Sequence, residues 1–247
     1  MPLTEKKPLS SNAIKLIAIA AMTVDHIAWA VFPGYPKEFL PLLMHLIGRI
    51  TCPIMCYCIA EGYHYTRNFK KYALRMAVFA AVSWAPFVFF ETGRLPIMIS
   101  EGGTVSFNPW QGVIFTLFLG LMAIKLWDSE NPKWIKFVGI IGICVISVIG
   151  DWAFMSVLWC LFFHIFRDEP KKKWIAFCII GVFSSASMFL AMPWYSQLFQ
   201  LGVFAAPLLI GILYNGESGK KSAFNKWFFY IFYPAHLVII GIAAHLA

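Results

Sequence analysis

Asp25 and His26 stand side by side near the middle of the first long apolar run of this chain, residues 13–32. Ionisable side chains are costly in hydrocarbon, so inside membrane helices they are rare and face a polar cavity or a partner. Histidine suits proton transfer: with an ordinary pKa of about 6.5, its neutral imidazole accepts a proton at physiological pH. Neighbours on a helix point about 100° apart, so the two side chains do not face each other and take different partners. Arg49, the one arginine deep in an apolar run, is the natural partner for Asp25. In an antiparallel hairpin turning at 33–38, Asp25 lies about 10 residues from the turn and Arg49 about 13, a difference in depth of roughly 5 Å. By the same estimate His26 and His45 are level. Lys15 precedes His26 by close to three helical turns, so the two share one stripe about 16 Å apart along the axis. That stripe suits a ligand with an anionic head at the Lys15 end and a reactive group deeper in. Near the other end of the chain, His236 follows Tyr233 on the same helical face, with Pro234 loosening the helix between them.

These residues have to be positioned by membrane helices. Hydrophobic residues make up 60% of the chain and charged ones 13%, and the mean hydropathy is +0.72. Apolar runs near 20 residues long reach across a bilayer at about 1.5 Å per residue. Nine such runs cover residues 13–32, 39–60, 72–90, 109–126, 134–150, 152–166, 173–192, 197–214 and 227–246. The expectation is an all-α polytopic membrane helix bundle of about 9 transmembrane helices. Residues 1–12 form a cytoplasmic N-terminal segment, and residues 13–247 a single transmembrane domain. The first run lacks a small-residue cleavage site and reads as an uncleaved span. The fifth and sixth runs are short and adjoin at Gly150-Asp151, as a tight hairpin or a partly re-entrant pair.

Charge sets the expected orientation. With the N-terminus inside, Lys37 and Arg94 fall outside and Arg49 within a span, while every other lysine and arginine falls on the cytoplasmic side. The C-terminus is then outside. The net charge of +8 follows from this sidedness and calls for no nucleic acid. Glu61 opens a polar loop, Gly62-Tyr63-His64-Tyr65-Thr66-Arg67-Asn68, followed by Lys70, Lys71, Tyr72 and Arg75, whose cations could grip phosphates. His45, His64, His164 and His245 read as structural, as do all six cysteines, which fall in apolar runs without metal-ligand spacing. Asp151 faces an acceptor or hydrates its turn, and residues 91–108 read as an outer loop. No nucleotide-binding loop, dinucleotide fingerprint or nucleophile elbow is present.

Several runs carry a resemblance. IKLIAIAAMTVDHIA, IGRITCPIMCYCIAEGYHYTRNFKKYALRMAVFA, FTLFLG, the LYNG turn and FFYIFYPAHL together resemble the TraX family, named for the membrane protein that acetylates the N-terminus of conjugative pilin. Two positions depart from its pattern. Asp151-Trp152-Ala153 stands where Asp-Tyr-Gly is expected, and Ser83-Trp84-Ala85-Pro86 where Ser-Glu-hydrophobic-Pro is usual. The family is similar to the wider membrane acyltransferases that modify surface polysaccharides, in which an early basic residue stands eleven before an essential histidine. Lys15 and His26 show that spacing.

The resemblance implies a bacterial cytoplasmic-membrane acetyltransferase that takes acetyl-CoA from the cytosol and needs no metal. Lys15, Arg67, Asn68, Tyr72 and Arg75 would hold the CoA. His26 would act as general base on an amine or hydroxyl of an envelope, secreted or small-molecule acceptor. Asp25 and Arg49 would hold the polar core, and Tyr233 or His236 would assist or stabilise the oxyanion. A proton-coupled transporter relaying protons through Asp25, His26 and Arg49 is the alternative, and a non-catalytic scaffold the third reading.

Overall fold

In the computed structural model, residues 7–34, 37–100, 103–188, 193–217, 219 and 222–246 are described. Half of the expected N-terminal segment (residues 1–6) and the loop lysines Lys220 and Lys221 lie outside them. The described chain is mostly helical, and each of the nine apolar runs coincides with a helical segment. α1 (Ser11–Val31) starts where the Ser10 hydroxyl accepts from the Ala13 amide, satisfying one free N–H of its first turn. The second run is two helices, α2 (Phe39–Gly48) and α3 (Thr51–Tyr65). Pro53 lacks the N–H that would bond the Arg49 carbonyl four residues back, and the helix breaks there. α4 (Phe69–Thr92) is capped by Asn68, which accepts from the Lys71 amide, and ends at Gly93 in the left-handed region, φ 68°. After a two-stranded antiparallel sheet come α5 (Val113–Trp127), α6 (Lys133–Ile146), α7 (Ala153–Ile165) and α8 (Pro170–Met188). Residues 197–213 are again interrupted, with short turns including α9 (Gln197–Gln200) and α10 (Ala206–Leu208). α11 (Ala223–His245) closes the fold.

Among the described residues, four segments are long and apolar enough to cross a membrane: Ser11–Val31, Phe39–Tyr65, Phe69–Thr92 and Trp227–His245. α6 and α7 are short, about 20 Å each, against a hydrocarbon core of about 30 Å. α5 is the hub, most of its residues buried against α4, α3 and α7. Its Gly120 lets α7 come close, since a Cβ there would overlap the Cys160 side chain. α6 has no buried residue and presents Trp134, Phe137, Val138 and Val145 outwards, which suits a lipid-facing helix.

Contacts fix the relative directions. Lys15 and Phe229 meet near the starts of α1 and α11, while Gly93 and His245 meet at the ends of α4 and α11, so these three helices run the same way. Phe69 at the start of α4 meets Lys125 at the end of α5, and Glu61 at the end of α3 meets Arg167 just beyond α7. The LYNG turn docks the N-terminus: Leu9 pairs with Leu213 and Asn215, and Ser11 with Glu217.

Candidate active site

The site is built on α1. Asp25 is nearly buried, and both its oxygens are taken by the second run: Oδ1 by His45 Nδ1 at 2.7 Å, Oδ2 by an Arg49 amino group at 3.1 Å. Gly48 makes this approach possible, because a Cβ there would occupy the space of the Asp25 side chain. The Arg49 guanidinium lies between the rings of Trp152 and Phe199, at 5.0 and 5.1 Å. His45 packs against Trp29 and Phe199. The expected Asp25–Arg49 pair thus forms, and His45 joins it. Its signal in the sequence was its position four residues before Arg49, on the same helical face.

His26 turns away from this lock. Its Nδ1 lies 2.7 Å from His236 Nε2, with the ring planes within 4°. His236 Nδ1 in turn lies 2.9 Å from the Phe232 carbonyl oxygen. A carbonyl carries no proton, so His236 Nδ1 must donate to it. In neutral His236 the Nε2 is then an acceptor, and His26 Nδ1 must donate to it. The proton of neutral His26 is therefore on Nδ1, and its Nε2 keeps a bare lone pair. Phe90 flanks the His26 ring at 5.0 Å.

Tyr233 Oη accepts from the Val113 amide, 3.2 Å away at the start of α5. That leaves its own proton free to donate. Gly112 provides the room, since a Cβ there would collide with the phenol oxygen.

His26, Asp25, Arg49, Tyr233 and Lys15 all line one cavity of about 1560 Å³. At one end lie Ser11, Lys15, Cys58, Tyr72 and Phe229, and at the other Gly34, Glu91, Thr92, Asn108, Trp110 and His245. The cavity thus follows the whole length of α1, with His26 between its ends. His236 stands behind His26, reaching the cavity through it.

The other expected phosphate-binding residues are divided. Tyr72 lines the cavity, and the Arg75 guanidinium sits 5.8 Å over the Tyr72 ring without lining it. Arg67 is exposed outside the cavity, and the Asn68 side chain caps α4. Glu61 is engaged by Arg167 through Nε at 2.8 Å, and Tyr65 Oη also accepts from Arg167. The Glu61 carboxylate raises Arg167 above its ordinary pKa. This end of α3 is accordingly a clamp between helices.

Asp151 and Glu91 bring two further carboxylates to the cavity. Beside Asp151, Trp152 and Ala153 have φ of 63° and 41°, in the left-handed region. Ala153 is where the resemblance leads one to expect glycine, the residue that adopts this backbone without penalty. Cys52, Cys56 and Cys160 are buried free thiols in the core. Among the described residues, no group of three or more His, Cys, Asp or Glu is arranged to hold a metal ion.

A helical membrane protein with an Asp-His-Arg lock and a histidine-bearing cavity is the class these features define. The family model described as TraX protein matches residues 10–244, and the chain belongs to the TraX family. It is similar to a probable fimbrial assembly protein FimC, serogroup H1, of Dichelobacter nodosus, 26% identical over 242 residues that cover 94% of each chain. No solved structure matches the chain.

Proposed function

We propose that the protein is an acetyltransferase of the bacterial cytoplasmic membrane, moving an acetyl group from cytosolic acetyl-CoA to an amine or hydroxyl of an envelope, secreted or small-molecule acceptor. The observation that carries this reading is the chain Phe232 carbonyl–His236–His26, which leaves a lone pair on His26 Nε2 in a cavity reaching both ends of α1. Acetyl-CoA enters at the Lys15 end, its phosphates near Lys15 and the basic loops. The acceptor enters at the Glu91 end.

His26 Nε2 takes the acceptor's proton as its nitrogen or oxygen attacks the thioester carbonyl. The Tyr233 hydroxyl donates to the oxyanion that develops there. Collapse expels the CoA thiolate, the imidazolium returns the proton to sulfur, and acetylated acceptor and CoA leave. His236 stabilises the imidazolium through Nδ1 of His26 without moving a proton of its own. Asp25, His45 and Arg49 hold α1 against the second run, so His26 stays in place. Nine crossings with the N-terminus inside fit this scheme, supported by the alternating helix directions and by lysine and arginine sidedness. The whole described chain then serves as one transmembrane domain.

The test is two-part. CoA stabilises the purified protein against heat, because a ligand of the folded state alone raises apparent stability. His26→Ala folds, keeps that stabilisation and loses acetyl transfer by about 10²–10⁴-fold, the usual weight of a general base. A folded His26→Ala protein with full transfer sinks the assignment. The cavity's reach to both ends also suits a proton-coupled transporter. That reading wins if proteoliposomes show pH-driven substrate flux while CoA neither binds nor reacts.

A further inference from the structure

Between α4 and α5 the chain forms a hairpin that the loop composition concealed. Strand β1 (Ile97–Ile99) pairs with β2 (Val105–Phe107), with Ile97 opposite Phe107 and Ile99 opposite Val105. In an antiparallel pair, directly opposed residues share a face, and alternate residues do too. Ile97, Ile99, Val105 and Phe107 therefore make one apolar face, and they are 53%, 72%, 61% and 63% exposed. Ser106 and Met98 point the other way. Isolated exposed apolar residues are ordinary, but a contiguous apolar face marks a contact surface.

We infer that this hairpin lies in the lipid–water boundary, its apolar face resting on the acyl chains of the leaflet at the Glu91 end of the cavity. Depth comes first. The hairpin hangs from the end of α4, a helix long enough to cross the bilayer, and the chain turns straight back into α5. Its backbone is largely paired within itself: beyond the strands, Ser100 accepts from Gly103 and bonds Thr104, and Asn108 donates to Pro96. Yet a two-stranded sheet keeps two open edges, which the hydrocarbon core does not tolerate and the headgroup layer does. The boundary satisfies both the apolar face and the edges.

The aromatic residues agree. Trp84 packs on Phe107 and donates its indole N–H to the Asn108 carbonyl, and Trp110 follows, half exposed. Amphipathic indoles concentrate at this depth. Asn108 and Trp110 also line the cavity. The mouth at this end therefore opens at headgroup level, beside a surface fixed in the lipid.

The test uses the full chain in phosphatidylcholine–phosphatidylglycerol vesicles, with Cys178→Ser removing the exposed native thiol. Ile99→Cys, Phe107→Cys and Ser106→Cys each carry an environment-sensitive NBD label, with label on the parent protein subtracted. Labels at 99 and 107 should emit further to the blue than at 106. They should also be quenched several-fold more by lipids brominated near the head of the acyl chain than by aqueous iodide. Equal emission at all three sites with iodide the stronger quencher overturns the inference. So does a blue shift at 99 and 107 that ignores brominated lipid and fades on dilution into excess lipid, which would mean that a second copy covers the face. None of these readouts depends on acetyl transfer, so the outcome is independent of the proposed reaction.

Discussion

Gly48→Ala is the sharpest perturbation the structure offers. The new methyl group would fall where the Asp25 side chain now sits, so one of the two must move. Asp25 is held on both oxygens and cannot shift without loosening His45, Arg49 or both. Leaving one partner of a buried ion pair uncompensated costs about 3–5 kcal/mol. At about 2–4 °C per kcal/mol for a chain of this size, the apparent melting temperature should fall by roughly 6–20 °C. A double-mutant cycle isolates the cause. Asp25→Gly removes everything the methyl would strike, the Cβ included, so Gly48→Ala on that background should cost less than about 1 kcal/mol. The coupling between the two changes should then be about 2 kcal/mol or more, within the range found for residues in contact. Thermal unfolding of the four proteins in one detergent measures it. If Gly48→Ala melts within a degree or two of the wild type, or if the two costs simply add, Asp25 does not pack on Gly48 and the lock described here is wrong.

Ala153→Gly should stabilise the protein by about 0.5–1 kcal/mol, since the left-handed backbone at 153 strains alanine more than the added chain entropy of glycine costs; a lower melting temperature contradicts it. Gly112→Ala should displace the Tyr233 phenol from the Val113 amide and slow acetyl transfer by about 10²–10³-fold, as loss of an oxyanion donor does. Tyr233→Phe should match it, and a rate near wild type in both removes Tyr233 from the chemistry. Lys15→Ala should weaken CoA binding by about tenfold or more, read as lost thermal stabilisation at fixed CoA, because a hydrogen bond to a charged group contributes about 1.5–3 kcal/mol. Unchanged CoA binding would move the donor site elsewhere.

What the sequence disclosed follows from the range of the interactions. Apolar runs mark helices because bilayer thickness and helical rise set their length, and each run met a helix. Asp25 and Arg49 could be paired because one short turn fixes their relative depth. The role of His45 escaped because its one local signal, Arg49 four residues on, does not say which carboxylate it meets; that carboxylate comes from α1, 20 residues back. The His26–His236 bond joins residues 210 apart, and no local spacing encodes that pairing. The break at Arg49–Ile50 was missed, the second run reading as one span, because its apolar continuity masked Pro53, whose missing N–H interrupts the ladder. The hairpin at 97–107 was hidden by the Pro, Gly and Ser content of its loop, although its alternate β-branched and aromatic residues have strand character.

Among the described residues, the 39–65 and 197–213 segments are both interrupted, and they touch. Gly202 of the 197–213 segment lies against the Leu46 carbonyl of α2, so near that no side chain would fit. An unbroken helix resists bending because its hydrogen-bond ladder is continuous, whereas an interrupted one yields at the gap. The partners of Asp25 therefore ride on compliant pieces, while the partner of His26 rides on α11, which stays one helix although Pro234 removes a bond from its ladder. Compliance and reactivity are divided between two walls of one cavity. Occupancy of that cavity should register as slowed amide exchange around residues 44–52 and 199–209, where local opening is cheapest, with the middle of α11 already protected in the empty protein.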